Sequence, residues 1–351
     1  MRSFIAISFF AVNVLLFALN TPSYAQTPAV SLPLVEYPAT RFDMCRQMFR
    51  KPKQFMIPVE NPQSDAKILL GKTLFFDPRL SGTNSMACST CHNPALAWSD
   101  GLPTAIGNGG QKLKRRTPSL LNLAFSGSLQ WDNEFRTLEE QALAPIRKKT
   151  EMNQDPALLP AKLTAAKAYA PLFEAAFPGE GVSQLTIARA LAAFQRTLMS
   201  GLSPFDDFLA GDDNAMSIDA KVGMVLFHEK AHCSACHFGY RLTDGQAYDI
   251  GHKTEDRGRG VVTKDPQQDF KFRNPSLTDV GRHPPYRHDG SLSDLKAVVE
   301  FYNRGGDVKR PTLSSDIRPL HLTPHEVAQI VAFINALSSP LAPFMPPTLP
   351  E

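Results

Sequence analysis

Two stretches of this chain combine residue types and spacing that specify a chemistry: Cys88-Ser89-Thr90-Cys91-His92 and Cys233-Ser234-Ala235-Cys236-His237. Cys-x-x-Cys-His is the attachment pattern of a c-type haem, in which two thiols form thioethers to the porphyrin and the next histidine becomes the proximal iron ligand. One copy alone leaves a redox dithiol or half a zinc site open. Two copies, each closed by histidine, do not. A four-cysteine zinc site separates its pairs by about 15–20 residues, far less than the gap here, and a redox dithiol has no use for the histidine. The pattern predicts two covalently bound haems.

An internal repeat places further groups around them. Gly71-Lys-Thr-Leu-Phe-Phe76 before the first motif resembles Gly223-Met-Val-Leu-Phe-His228 before the second, and Arg116-Thr-Pro-Ser-Leu120 matches Arg273-Asn-Pro-Ser-Leu277. At that same offset of 157 residues, Trp131-Asp132 falls on His288-Asp289, Leu138 on Leu295 and Pro145 on Tyr302. Each haem has a histidine from its own motif, so the helix after the aspartate is expected to cover the opposite face. Position 302 then offers a phenol to the second iron, whereas Pro145 cannot ligate the first. No histidine lies between His92 and His228. An iron with an open face can bind and activate a small oxidant, while a six-coordinate iron relays electrons. Met152 beside Glu151 reads as packing. Glu151 is a candidate general base and acid for peroxide cleavage, and Gln141 could hold the substrate by hydrogen bonding. From the sequence alone, each is equally a solvated helix residue.

The elements that must position these groups are helical. Asp65–Phe76 has apolar helical spacing and leads into the first motif; Arg136–Arg147, Leu158–Ala170 and Gln184–Ser200 follow, the last capped by Ser183. Ala215–Phe227 leads into the second motif, and Thr323-Pro324-His325-Glu326 is a capping box opening a helix to about Leu337. Asn93–Pro118, rich in Gly, Pro and Asn, reads as a loop wrapping the first haem. With no strand pattern of any length, the fold class expected is all-α: two cytochrome c-like haem domains related by an internal repeat. The division expected is an extended N-terminal arm over 26–65 lying on the first domain, a first domain over 66–205, a second over 206–340 and a disordered Pro-rich tail over 341–351. The boundary is placed in Gly201–Asn214.

With 351 residues and 37 Lys and Arg against 34 Asp and Glu, the charge balance gives no case for nucleic acid. Residues 1–25, with Arg2, the apolar run Phe4–Leu19 and Ser23-Tyr24-Ala25, read as a secretory signal, too short to be a membrane span. That predicts a periplasmic protein with no stable membrane insertion. Four of the five cysteines belong to the haem motifs, leaving Cys45 as a buried thiol or an intermolecular partner.

Leu74-Phe-Phe-Asp-Pro-Arg-Leu-Ser81, Cys88–His92, Arg116–Leu120, Trp131-Asp132, Leu138-Glu-Glu-Gln-Ala142, Pro145, Glu151-Met152, Cys233–His237 and His288-Asp-Gly290 together resemble the bacterial di-haem cytochrome c peroxidase and MauG family, over about residues 66–338. The resemblance implies that the first haem is peroxidatic, with Gln141, Pro145 and Glu151 as its distal pocket, and that Trp131 bridges the haems electronically. Ordinary peroxidases of the family carry a blocking loop histidine at the first haem and a distal methionine at the second. Here Asn93–Pro118 has no histidine, and the methionine position, fourteen after His288, is Tyr302. That combination resembles the MauG branch.

A phenolate ligand lowers an iron's reduction potential and favours oxidised states, whereas a thioether raises it. The partners implied are hydrogen peroxide and an electron-donor protein: a small cytochrome, a cupredoxin or a protein substrate being modified. The alternatives are detoxification with a small cytochrome donor and a non-enzymatic electron relay. Two departures qualify the resemblance. The surface tryptophan through which MauG passes oxidising equivalents to its protein substrate is Ala231 here. The family's inter-domain calcium is doubtful, because its asparagine falls at Arg116 and its threonine carbonyl at His283, although Pro285 remains. An arginine cation could stand in the metal's place. His283, His288 and Asp289 are expected to organise the loop near the second haem.

Overall fold

The structure is a computed structural model that describes residues 47–52 and 55–351; the stretch read as a secretory signal, most of the expected arm and Cys45 lie outside them. Twelve helices of four or more residues are described: α1 (Asp65–Phe75), α2 (Cys88–Cys91), α3 (Leu138–Ala142), α4 (Ala144–Arg147), α5 (Leu159–Ala165), α6 (Tyr169–Ala176), α7 (Gln184–Gln195), α8 (Pro204–Ala210), α9 (Ile218–His228), α10 (Arg259–Thr263), α11 (Leu295–Asn303) and α12 (Pro324–Ala336). The one sheet among the described residues is a two-stranded antiparallel ribbon, β1 (Ala247–Tyr248) with β2 (Phe272–Arg273). The protein is therefore mostly helical.

Hydroxyl caps set the starts of the long helices. Ser64 accepts from the Lys67 N–H at α1, Ser183 from Thr186 at α7, Ser217 from Ala220 at α9 and Thr323 from Glu326 at α12, each satisfying a backbone donor that has no partner within the helix.

Two apolar clusters form, one on α1 and α7 and one on α9 and α12. In each, the glycine of the repeated Gly-x-x-Leu-Phe stretch is where the helices cross. A Cβ on Gly71 would lie 1.9 Å from the Ala190 carbonyl oxygen, and one on Gly223 would lie 1.9 Å from that of Gln329. Alanine normally favours a helix interior over glycine by about 1 kcal/mol. Here overpacking reverses the sign, and Gly223→Ala is expected to lose about 1–3 kcal/mol. Denaturant unfolding of the haem-loaded protein checks this, and a more stable variant would refute the close crossing.

Several expectations are corrected. Arg136–Arg147 breaks at Leu143, because Pro145 has no N–H and its ring cannot pass the Gln141 carbonyl in a continuous helix. Leu158–Ala170 breaks at Ala166 into α5 and α6. Gly201–Asn214 is not all linker: Ser203 and Asp206 form a capping box for α8, whose Phe205 and Phe208 are buried. The arm does not lie on the first domain alone. Phe49 packs edge-on against Phe205 in the second cluster, whereas Asn61 and Gln63 donate to the Arg189 and Ala193 carbonyls of α7. The tail is not loose either. Phe344 stacks on Phe76 (5.4 Å, 16°), meets Trp98 edge-on (4.9 Å) and lies under Lys72, while Arg79 donates to the Pro350 carbonyl at 2.5 Å. No described helix is long and apolar enough to cross a membrane.

Candidate functional site

Both Cys-x-x-Cys-His motifs fold as single turns that bring the histidine back over the first cysteine. The His92 N–H donates to the Cys88 carbonyl (3.0 Å) and the His237 N–H to that of Cys233 (2.9 Å). The imidazoles are held alike: Nδ1 of His92 donates to the Trp98 carbonyl at 3.0 Å and Nδ1 of His237 to the Leu242 carbonyl at 2.7 Å. This fixes the tautomer and presents Nε2 as the free ligand atom. Burial lowers both imidazole pKa values and so favours the neutral form that a metal ligand requires. Burial also pushes the Cys88 and Cys233 thiols up to about 12, and none of the four motif cysteines is in a disulfide.

Around the second motif the chain encloses a cavity. His237, Cys233, Cys236, Trp131 and Tyr302 all line it, with Leu295, Val299 and Ile330 among its apolar walls. Tyr302 comes from α11, and burial raises its phenol to about 12 while the Arg287 cation opposes the rise. Among the described residues no methionine lines this cavity. Four other histidines reach it. Of these, His252 donates from Nε2 to Asp289 at 2.7 Å and His288 stacks on Phe272 at 3.8 Å. Burial holds His283 and His288 down to about 4. His252, His288 and Asp289 are close enough to suggest a metal cluster, yet a 2.7 Å contact between two of the ligand atoms is a hydrogen bond rather than two bonds to one ion.

The walls also fit a dicarboxylate macrocycle. Arg273 Nε and both terminal nitrogens of Arg287 are buried in the lining without partners, and an unpaired buried guanidinium is costly unless an anion meets it. Haem carboxylates supply such anions. Sequence reasoning recorded Arg273 only as part of a repeat and did not single out Arg287. The signal available was that Arg273 occupies in the second repeat the position of Arg116 in the first.

At the first motif, Glu151 is close enough to act electrostatically on both Cys91 and His92. Its carboxylate pairs with Lys148 at 2.8 Å, with the lysine 62% exposed, and so exposed a pair is worth about 0–1 kcal/mol. The Glu151 segment is braced by the loop: Asn108 N–H donates to the Glu151 carbonyl at 2.8 Å. Pro145 joins it through the Met152 N–H, which donates to the Pro145 carbonyl at 3.1 Å. Gln141 is half-buried on α3, one turn before Pro145. Met152 is buried in the first apolar cluster. Trp131 is buried, with Nε1 donating to the Arg116 carbonyl at 3.0 Å.

A helical protein with two Cys-x-x-Cys-His turns and carbonyl-oriented imidazoles is a two-haem c-type redox protein by architecture. The family model described as di-haem cytochrome c peroxidase matches residues 65–214. The chain is 42% identical to the methylamine utilization protein MauG of Methylorubrum extorquens over 93% of its own length and 94% of that protein. It is 36% identical to cytochrome c551 peroxidase of Pseudomonas aeruginosa, covering 83% and 86%. The crystal structure of a MauG-like protein associated with microbial copper homeostasis superposes with a TM-score of 0.77 at 32% identity, covering 82% of this chain and 95% of that one. The chain belongs to the di-haem cytochrome c peroxidase family, and is an oxidoreductase of the peroxidase type.

Proposed function

We propose that this protein is a periplasmic peroxidase of the MauG type, with haem domains over 66–205 and 206–340. Peroxide is reduced at the His92 site, and an external donor is oxidised through the site of His237 and Tyr302. When bound, the haems would supply a redox-active iron at each site, held by His92 at the first and by His237 and Tyr302 at the second. The residues do the rest. Glu151 takes the proton from the near oxygen of peroxide and returns it to the far one, and its weak Lys148 pair does not hold the carboxylate away from that task. Gln141 orients the peroxide. Trp131, buried in the lining of the His237 cavity, is the electronic bridge.

The observation that carries the MauG-type reading is Tyr302, which lines the His237 cavity where no described residue offers a thioether. A phenolate there favours the oxidised state. The absence of histidine from 93–118 supports an enzyme active without prior reduction. Cytochrome c peroxidases at 36–37% identity make the detoxifying reading the competitor. Steady-state turnover with reduced small cytochrome c distinguishes the two: slow turnover is expected, and rapid turnover would replace the MauG-type reading with the ordinary peroxidase.

A further inference from the structure

Arg115 and Arg116 are adjacent in sequence and differ in what they meet. Arg115 is paired with carboxylates on both sides, Asp132 at 2.5 Å and Asp256 at 2.7 Å. Arg116 is 4% exposed and has no carboxylate at ion-pair distance among the described residues. Its terminal nitrogen donates to the His283 carbonyl at 2.7 Å, its backbone N–H donates to the His288 carbonyl at 2.7 Å, and its own carbonyl accepts the Trp131 indole N–H at 3.0 Å. One residue thus ties the indole that lines the His237 cavity to both ends of the 283–288 loop. The related calcium site of the family does not fit here. Calcium needs six to eight oxygen ligands, whereas the carbonyl offered by residue 283 is already taken by a guanidinium, whose charge repels a second cation.

We propose that Arg116 is the built-in cation of this seam and a positioning residue for Trp131, replacing a bound metal ion with a covalently fixed charge. The proposal holds whichever external donor the enzyme uses. A metal ion positions the seam only when it is present; a side chain does so always.

The test uses the haem-loaded protein, read by electron paramagnetic resonance of the oxidised form and by the hydrogen-bond-sensitive indole band in ultraviolet resonance Raman, assigned with Trp131→Phe. In the unsubstituted protein neither a calcium chelator nor added calcium chloride is expected to change either signal. In Arg116→Asn with chelator, the Trp131 hydrogen-bond signature is expected to be lost, and calcium chloride to restore it. Arg116→Lys, which keeps a cation in reach, is expected to retain the signature in chelator. A chelator effect on the unsubstituted protein would overturn the proposal. So would an Arg116→Asn protein that keeps the signature without calcium, or one that calcium fails to rescue. If Arg116→Asn does not load haem, the chelator experiment and Arg116→Lys still decide.

Discussion

Glu151→Gln is expected to slow the reaction of the oxidised protein with hydrogen peroxide by roughly 10²–10⁴, the usual worth of positioned general acid–base help. The amide keeps the size and hydrogen-bonding reach of the carboxylate but cannot take a proton from one oxygen and deliver it to the other. The substitution removes one exposed ion pair, with Lys148, so folding stability changes by no more than about 1 kcal/mol. Stopped-flow mixing with peroxide, monitored at the Soret band, measures the rate. An unaltered rate would remove Glu151 from the chemistry, and a loss accompanied by unfolding would assign it to structure instead.

The second large effect is expected at Tyr302. In the oxidised protein as isolated, one high-spin and one low-spin ferric signal are expected, the low-spin one from the His237 site. Tyr302→Phe removes the phenol oxygen while leaving the ring, so the low-spin signal alone is lost or replaced and the high-spin signal persists. Tyr302→Met supplies a thioether at the same position and is expected to raise that haem's reduction potential. Paramagnetic resonance and a spectroelectrochemical titration report these outcomes. An unchanged low-spin spectrum in Tyr302→Phe would end the assignment of this residue as ligand. Two low-spin signals before any substitution would show that the His92 iron is closed, favouring the relay.

Local signals were the most legible part of the sequence. Helix starts followed from Ser183 and Thr323, because an N-cap hydroxyl is written in the few residues around it. The pairing of both histidines with downstream carbonyls was not legible, since a backbone acceptor leaves no residue-type signature. The α8 capping box at Ser203 and Asp206 was legible but overshadowed by the Gly, Pro and Asp content of its surroundings. Tyr302 was singled out by the repeat offset, and it lines the cavity that His237 also lines. Arg287 was out of reach for a different reason: its significance is that its terminal nitrogens, though the guanidinium stacks on Phe301, have no hydrogen-bond partner, which only a folded neighbourhood can show. Asn93–Pro118 could be read as a loop, but its bracing of Glu151 through Asn108 rests on a single backbone hydrogen bond.

The tail escaped composition-based reading because one aromatic residue decides its path. Phe344 sits against Phe76 and Trp98, and Trp98 is the residue whose carbonyl orients His92. A chain emerges from its N-terminus, so everything from Asp65 to Gln195 is synthesised well before Phe344 exists. The region made first therefore completes its packing last, and a fragment ending at Ser339 is an unfinished protein even though both haem motifs are intact. An affinity tag fused after Glu351 would begin beside the Pro350 carbonyl that Arg79 holds, close to the packing that supports the first haem's histidine.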